Sequence, residues 1–105
     1  MTMLTGEMLR FLTAGRTHVL ERNGKPAFVY LAEDGTGHMK LDTGETRSGR
    51  WRLTDDGYAT EWDSGHAGEW RLLPSDDGIE YVSRDGAQRL KMLGVFFGDS
   101  EGLAA

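Results

Sequence analysis

Two hydrophobic periods divide this chain. Near the N-terminus, Leu4, Met8, Phe11 and Leu12 are spaced by four, three and one, placing them on one side of a helix predicted over residues 5–14. Thr5 suits the N-cap, and Glu7 falls in the first turn, where the helix dipole favours a negative charge. Leu4 and Leu9 are placed to staple the entry, and Gly15 to end the helix in a left-handed conformation.

Beyond Gly15 the period falls to two. Met39 and Leu41 alternate with His38, Lys40 and Asp42; Trp51 and Leu53 with Arg50 and Arg52; Trp70 and Leu72 with Glu69 and Arg71. Tyr58, Thr60 and Trp62 share a face against Ala59, Glu61 and Asp63, and Ile79 and Tyr81 share one against Glu80. Such alternation marks antiparallel strands with one face in the core and one in water. Turn dipeptides punctuate the pattern at Asn23-Gly24, Asp34-Gly35, Thr43-Gly44, Asp56-Gly57, Ser64-Gly65, Asp77-Gly78 and Asp85-Gly86. They separate eight predicted strands, over 17–22, 26–32, 37–42, 47–54, 57–63, 67–73, 79–84 and 87–93.

The second strand, Ala27-Phe28-Val29-Tyr30-Leu31, is apolar on both faces, so its outside needs a cover. The N-terminal helix is the first candidate and the run Leu93–Phe97 the second. Gly49-Arg50-Trp51-Arg52-Leu53 is echoed by Gly68-Glu69-Trp70-Arg71-Leu72, each followed by an Asp-Asp-Gly turn, which reads as one hairpin unit used twice. Eight short sequential strands predict an all-β meander with one N-terminal helix, closed into a small up-and-down barrel. A two-sheet sandwich satisfies the same pattern. The barrel is preferred because no long connection suggests a Greek key. The chain is read as a single domain over 1–105, with its meander over 17–93 and a C-terminal tail over 94–105.

Composition narrows the function classes. Seventeen acidic against twelve basic residues give a net charge of −5, which disfavours a binder of nucleic-acid backbone. With no cysteine there is no disulfide, thiol nucleophile or thiolate metal site. No apolar run is long enough for a membrane-spanning helix, and the N-terminus lacks the features of a secretory signal. A cytoplasmic location is the simplest expectation, although an exported protein without its signal would look the same.

The combination Thr5-Gly6-Glu7-x-Leu9-x-x-Leu12-x-Ala14-Gly15-Arg16-Thr17, Tyr30-x-x-x-Asp34-Gly35-Thr36 and Gly49-x-Trp51-x-Leu53-x-Asp55-Asp56-Gly57 resembles a family of small uncharacterised bacterial proteins, broadly similar to calycin-like barrels such as lipocalins. The likeness covers most of the chain through motifs that are structural. It implies a fold and a bacterial origin, and supplies no catalytic residues. Members of that family often carry cysteines after the Asp-Asp-Gly turn and are exported; Tyr58-Ala59-Thr60-Glu61-Trp62 has none.

Candidate chemistry is sparse. His38, Asp42, Asp63 and His66 are available metal ligands without a compact ligand spacing, so no metal or cofactor is expected. Glu61 and Asp63 share the outward face of a strand, which offers no substrate cleft. Ser64 and His66 flank a turn glycine without a nucleophile-elbow context. Arg47, Arg50 and Arg52 with Trp51 suggest a nucleic-acid face only until the alternation is applied, because Trp51 lies opposite Arg50 and Arg52. The arginines are expected to pair with neighbouring carboxylates, such as Glu61 and Asp63, across the strands.

What remains is the interior. Trp51, Tyr58, Trp62, Trp70 and Tyr81 fall on inward positions, with Thr60 and Ser83 as polar groups among them. Aromatic walls with a few polar groups suit a small-molecule pocket. An eight-stranded barrel is also just wide enough for its own side chains to fill, so a dry core fits the same residues. The expected function is a non-enzymatic small barrel that binds a small apolar or aromatic ligand or serves as a compact interaction module. The alternative is a small hydrolase or isomerase with Glu61, Asp63 and His66 at the barrel mouth. Val95, Phe96 and Phe97 form a candidate homodimer contact.

Overall fold

The computed structural model describes residues 6–76 and 78–104. Helix α1 (Gly6–Thr13) leads into eight strands: β1 (Arg16–Arg22), β2 (Lys25–Leu31), β3 (Thr36–Lys40), β4 (Thr46–Leu53), β5 (Gly57–Trp62), β6 (Ala67–Ser75), β7 (Gly78–Ser83) and β8 (Arg89–Phe97). Each strand pairs antiparallel with the next, and β8 returns to β1 to close the barrel. The sandwich is thereby excluded: a closed cylinder leaves no strand edge unpaired.

Closure depends on residues beyond the predicted last strand. β8 runs on through Phe97, and its final segment pairs with β1, His18 opposite Val95 and Arg16 opposite Phe97. An irregularity between Val19 and Leu20 shifts the register, so that Leu20 faces Met92 and Val19 faces Gly94. Leu93 is the extra residue, and the inward parity changes across it, from Leu90 and Met92 to Val95. A period-two pattern broken by such a bulge reads as the end of a strand.

The turn glycines fall into two physical kinds. At Asn23-Gly24 both residues have positive φ, 53° and 76°, and Arg22 pairs with Lys25 around them, the geometry of a type I′ hairpin. Gly57 is different. Its φ is not positive, but a Cβ there would lie 1.7 Å from the Trp70 carbonyl oxygen, so the requirement is close approach of β5 to β6.

Helix α1 corrects the predicted apolar stripe. Leu9 and Thr13 are buried, whereas Met8 and Phe11 are 59% and 56% exposed. The helix stoppers one end of the barrel with its Leu9–Thr13 edge, and Leu9 joins the same core as Leu31, Leu72, Tyr58 and Tyr81. It therefore does not cover the outside of β2. There, Tyr30 stacks on His38 of the neighbouring strand, with ring centroids 6.0 Å apart. Leu4 and Thr5, assigned the staple and the cap, lie outside the described residues. Gly15 does adopt φ +72°, and its N–H donates to the Leu31 carbonyl at 2.7 Å. Phe11 turns outward onto Phe97 edge-to-face, and the Arg16 guanidinium lies over both rings at 4.9 and 4.4 Å.

The segment after β8 is tied back to the outside of β1. The buried Thr17 hydroxyl donates to the Gly98 carbonyl at 2.6 Å and accepts from the Ser100 N–H at 3.1 Å.

Candidate functional site

Alternation around a closed meander puts every second side chain inside, and the lengths of those side chains decide whether the inside is full. At the helix end it is. Leu9, Leu31 and Leu72 are buried there, with His18, Tyr58 and Tyr81 above them. Farther up, several inward positions carry small residues, Ala27, Thr60 and Gly68 among them. The rings on longer side chains do not fill the gap, and a cavity of about 530 Å³ remains. This volume lies within the range of roughly 300–1,000 Å³ typical of small-molecule sites.

The floor is aromatic and hydrogen-bonded in one direction. His18 is fully buried, and its Nε2–H donates to the Leu12 carbonyl at 2.7 Å. That leaves Nδ1 as the acceptor for the Tyr81 hydroxyl. Burial holds the imidazole neutral by lowering its pKa to about 4, against a smaller opposing effect of the Leu12 hydrogen bond. Tyr81 packs edge-to-face on Tyr58 and on Trp70, with centroids 6.3 and 6.5 Å away. Burial raises the pKa of both tyrosines, and for Tyr81 the neighbouring Tyr58 adds to the effect. Both hydroxyls therefore keep their protons at neutral pH. The Tyr58 and Thr60 hydroxyls have no hydrogen-bond partner among the described residues, and both side chains line the cavity.

The walls are apolar and the rim is not. Leu20, Val29, Met39, Leu41 and Leu90 line the sides. At the end away from the helix, where β1–β2, β3–β4, β5–β6 and β7–β8 turn, the lining becomes Arg22, Asn23, Arg47, His66, Gln88 and Arg89. No aspartate or glutamate lines the cavity among the described residues. Each of these arginines has a carboxylate partner that is not itself a lining residue: Asp42 is 3.6 Å from Arg22, Glu45 2.7 Å from Arg47, and Glu80 2.6 Å from Arg89.

Of the residues singled out from sequence, Tyr58, Thr60, Trp62, Trp70 and Tyr81 come together around this cavity. Trp51 and Ser83 do not. Trp51 faces inward at the helix end, where its indole N–H donates to the Ala32 carbonyl at 2.7 Å. Ser83 donates to Asp85 at 2.6 Å and accepts from the Gln88 N–H at 2.9 Å, tying down the β7–β8 turn. Alternation alone gives the face of a residue and not its height along the barrel, so it could not separate Trp51 from Trp70.

Of the alternative catalytic set, only His66 reaches the mouth, with Nδ1 3.0 Å from Ser64 Oγ. Glu61 lies on the outer face, and Asp63 is exposed in the β5–β6 turn. No cluster of three or more potential metal-ligating side chains occurs among the described residues. The pairing expected for the arginines is also corrected. Arg47 bonds Glu45, two residues away, and Arg52 approaches Glu69 at 3.9 Å, while Arg50 faces Glu61 in register without an ion pair among the described contacts. Val95 packs against the core, whereas Phe96 and Phe97 are exposed.

Two kinds of site residue escaped the sequence reading. His18 sits in a short strand where Thr17, Val19 and Glu21 alternate with His18 and Leu20, a signal that was present but unused. Arg47 shares inward parity with Trp51 and Leu53, and the same count would have separated it from Arg50 and Arg52. The chain matches no protein-family model, no curated protein and no solved structure.

Proposed function

We propose that this barrel is a non-enzymatic binding protein that takes a small, mainly apolar or aromatic molecule into its interior. The observation that carries the reading is the cavity of about 530 Å³, floored by Tyr58 and Tyr81 and walled by aliphatic side chains and tryptophan rings. A mainly apolar interior of this size that opens at one end of the barrel suits a small molecule with an apolar body. The unpartnered Tyr58 and Thr60 hydroxyls supply the few polar contacts that orient a ligand.

Filling the cavity tests it. Ala27 is buried and inward-facing, so in Ala27→Phe the ring projects into the void. Lipophilic compounds should shift tryptophan emission in the parent protein and leave it unchanged in the filled variant, with circular dichroism confirming the fold. Silence of the parent across a broad library would overturn the reading.

A second reading, self-association, is favoured by the exposure of Phe96 and Phe97 at 51% and 76%. Sedimentation of Phe96→Asp with Phe97→Asp decides it: an unchanged mass with the fold intact removes this reading.

A further inference from the structure

We infer that the ligand of this cavity is an amphipathic anion, seated with its apolar body against the tyrosine floor and its acidic group at the mouth beside Arg47. The inference rests on the ligand-binding reading above and adds the charge and orientation of what is bound.

The chain is acidic overall, at −5, yet its cavity is not. The charged residues that line it are Arg22, Arg47 and Arg89, all at the rim, while the carboxylates that balance them stand outside the lining. A ligand inside the cavity therefore meets guanidinium groups and no carboxylate among the described lining residues. Arg47 is the centre of this arrangement. Its side chain is 22% exposed, against 45% for Arg22 and 60% for Arg89, so it is the most desolvated of the three. Its Nε–H is spent on Glu45 at 2.7 Å, and its terminal nitrogens make no hydrogen bond to protein among the described residues. A guanidinium held at Nε with its two Nη groups unoccupied matches the bidentate geometry of a carboxylate, sulfonate or phosphate.

The opposite end cannot take that charge. The floor is a neutral His18 whose hydrogen bonds are already made, two protonated tyrosines and aliphatic side chains. An anion placed there would be desolvated without a cation to pair with. The geometry thus sets a direction, with the acidic group outward and the body inward.

A matched pair of dyes tests this: anilinonaphthalene sulfonate and its uncharged parent, N-phenylnaphthylamine, share one aromatic body and differ in the sulfonate. The full chain should bind the anionic dye about tenfold more tightly than the neutral one. That preference should shrink toward parity in Arg47→Met, which keeps the apolar stem, and in molar sodium chloride. Glu45→Gln, in an exposed turn, frees the Arg47 Nε and should raise affinity for the anionic dye about two- to threefold while leaving the neutral dye unaffected. Ala27→Phe should abolish binding of both dyes, which assigns the signal to the interior. Tighter binding of the neutral dye, or a preference unchanged by Arg47→Met and Glu45→Gln together, overturns the charge assignment and leaves the barrel's ligand-binding role standing. Binding of neither dye overturns the amphipathic-anion assignment, and the broad lipophilic library then decides the ligand-binding reading by itself.

Discussion

The Tyr81 hydroxyl donates to Nδ1 of His18, a residue 63 positions earlier in the chain, and the other nitrogen of the same ring donates to the Leu12 carbonyl. One imidazole thus joins the cavity floor, the first strand and the last turn of the helix that closes the barrel. In the neutral ring Nε2–H donates to the carbonyl while Nδ1 accepts from the tyrosine O–H, and burial in this apolar floor is what disfavours adding a proton.

This relation has a pH dependence of definite sign. In the folded state the His18 pKa lies at about 4, below its unfolded value of 6.5. Between those values the unfolded chain binds more protons, so stability rises with pH across the window. The contribution is complete above pH 6.5, falls as the pH drops, and is lost by about pH 4. It amounts to about 3 kcal/mol at neutral pH. Urea titrations between pH 4 and 7 should show this slope in the parent and not in His18→Phe, which should also be less stable at pH 7 because Tyr81 and Leu12 lose their partner. Equal slopes in the two proteins would remove His18 as the source.

The two kinds of turn glycine should respond differently to alanine. Gly44 has φ +92° and open space around its Cβ position, so Gly44→Ala should cost about 1 kcal/mol of backbone strain. Gly57→Ala places a methyl group 1.7 Å from the Trp70 carbonyl oxygen, and β5 and β6 must separate to admit it. A cost of about 3 kcal/mol is expected, read as a lower urea midpoint. Equal effects at the two sites would contradict the close approach of these strands.

Thr17 anchors the chain after β8 through two hydrogen bonds to its hydroxyl. Thr17→Val keeps the shape and removes both. Stability should fall by about 1–2 kcal/mol, and amide exchange at Ser100 should accelerate while that of β1 is little changed. Unaltered protection at Ser100 would show that the segment is held by something else.

Much of this fold was legible because period and turn chemistry are local. The alternation in β3 to β7 and the dipeptides between them are written within a few residues of one another, and both are consequences of backbone geometry that any sequence must obey. The helix face was misread for the complementary reason. Met8 and Phe11 form an apolar stripe, but Leu9 and Thr13 are what fit the end of the cylinder, and a single helix carries no record of which edge its partner will meet. The last strand was cut short because the bulge at Leu93 reverses inward parity, and only pairing with β1 shows that the chain continues as a strand.

By itself the sequence determined the helix, the meander and the inward faces of β3 to β7, since each follows from spacing along the chain. Tertiary structure decided closure through Phe97, the separation of Trp51 from Trp70, the partnership of His18 with Tyr81, and the empty volume between floor and mouth. These depend on how far around and how high along the cylinder each side chain sits. That position is set by register summed over eight strand pairings, and no local pattern records the sum.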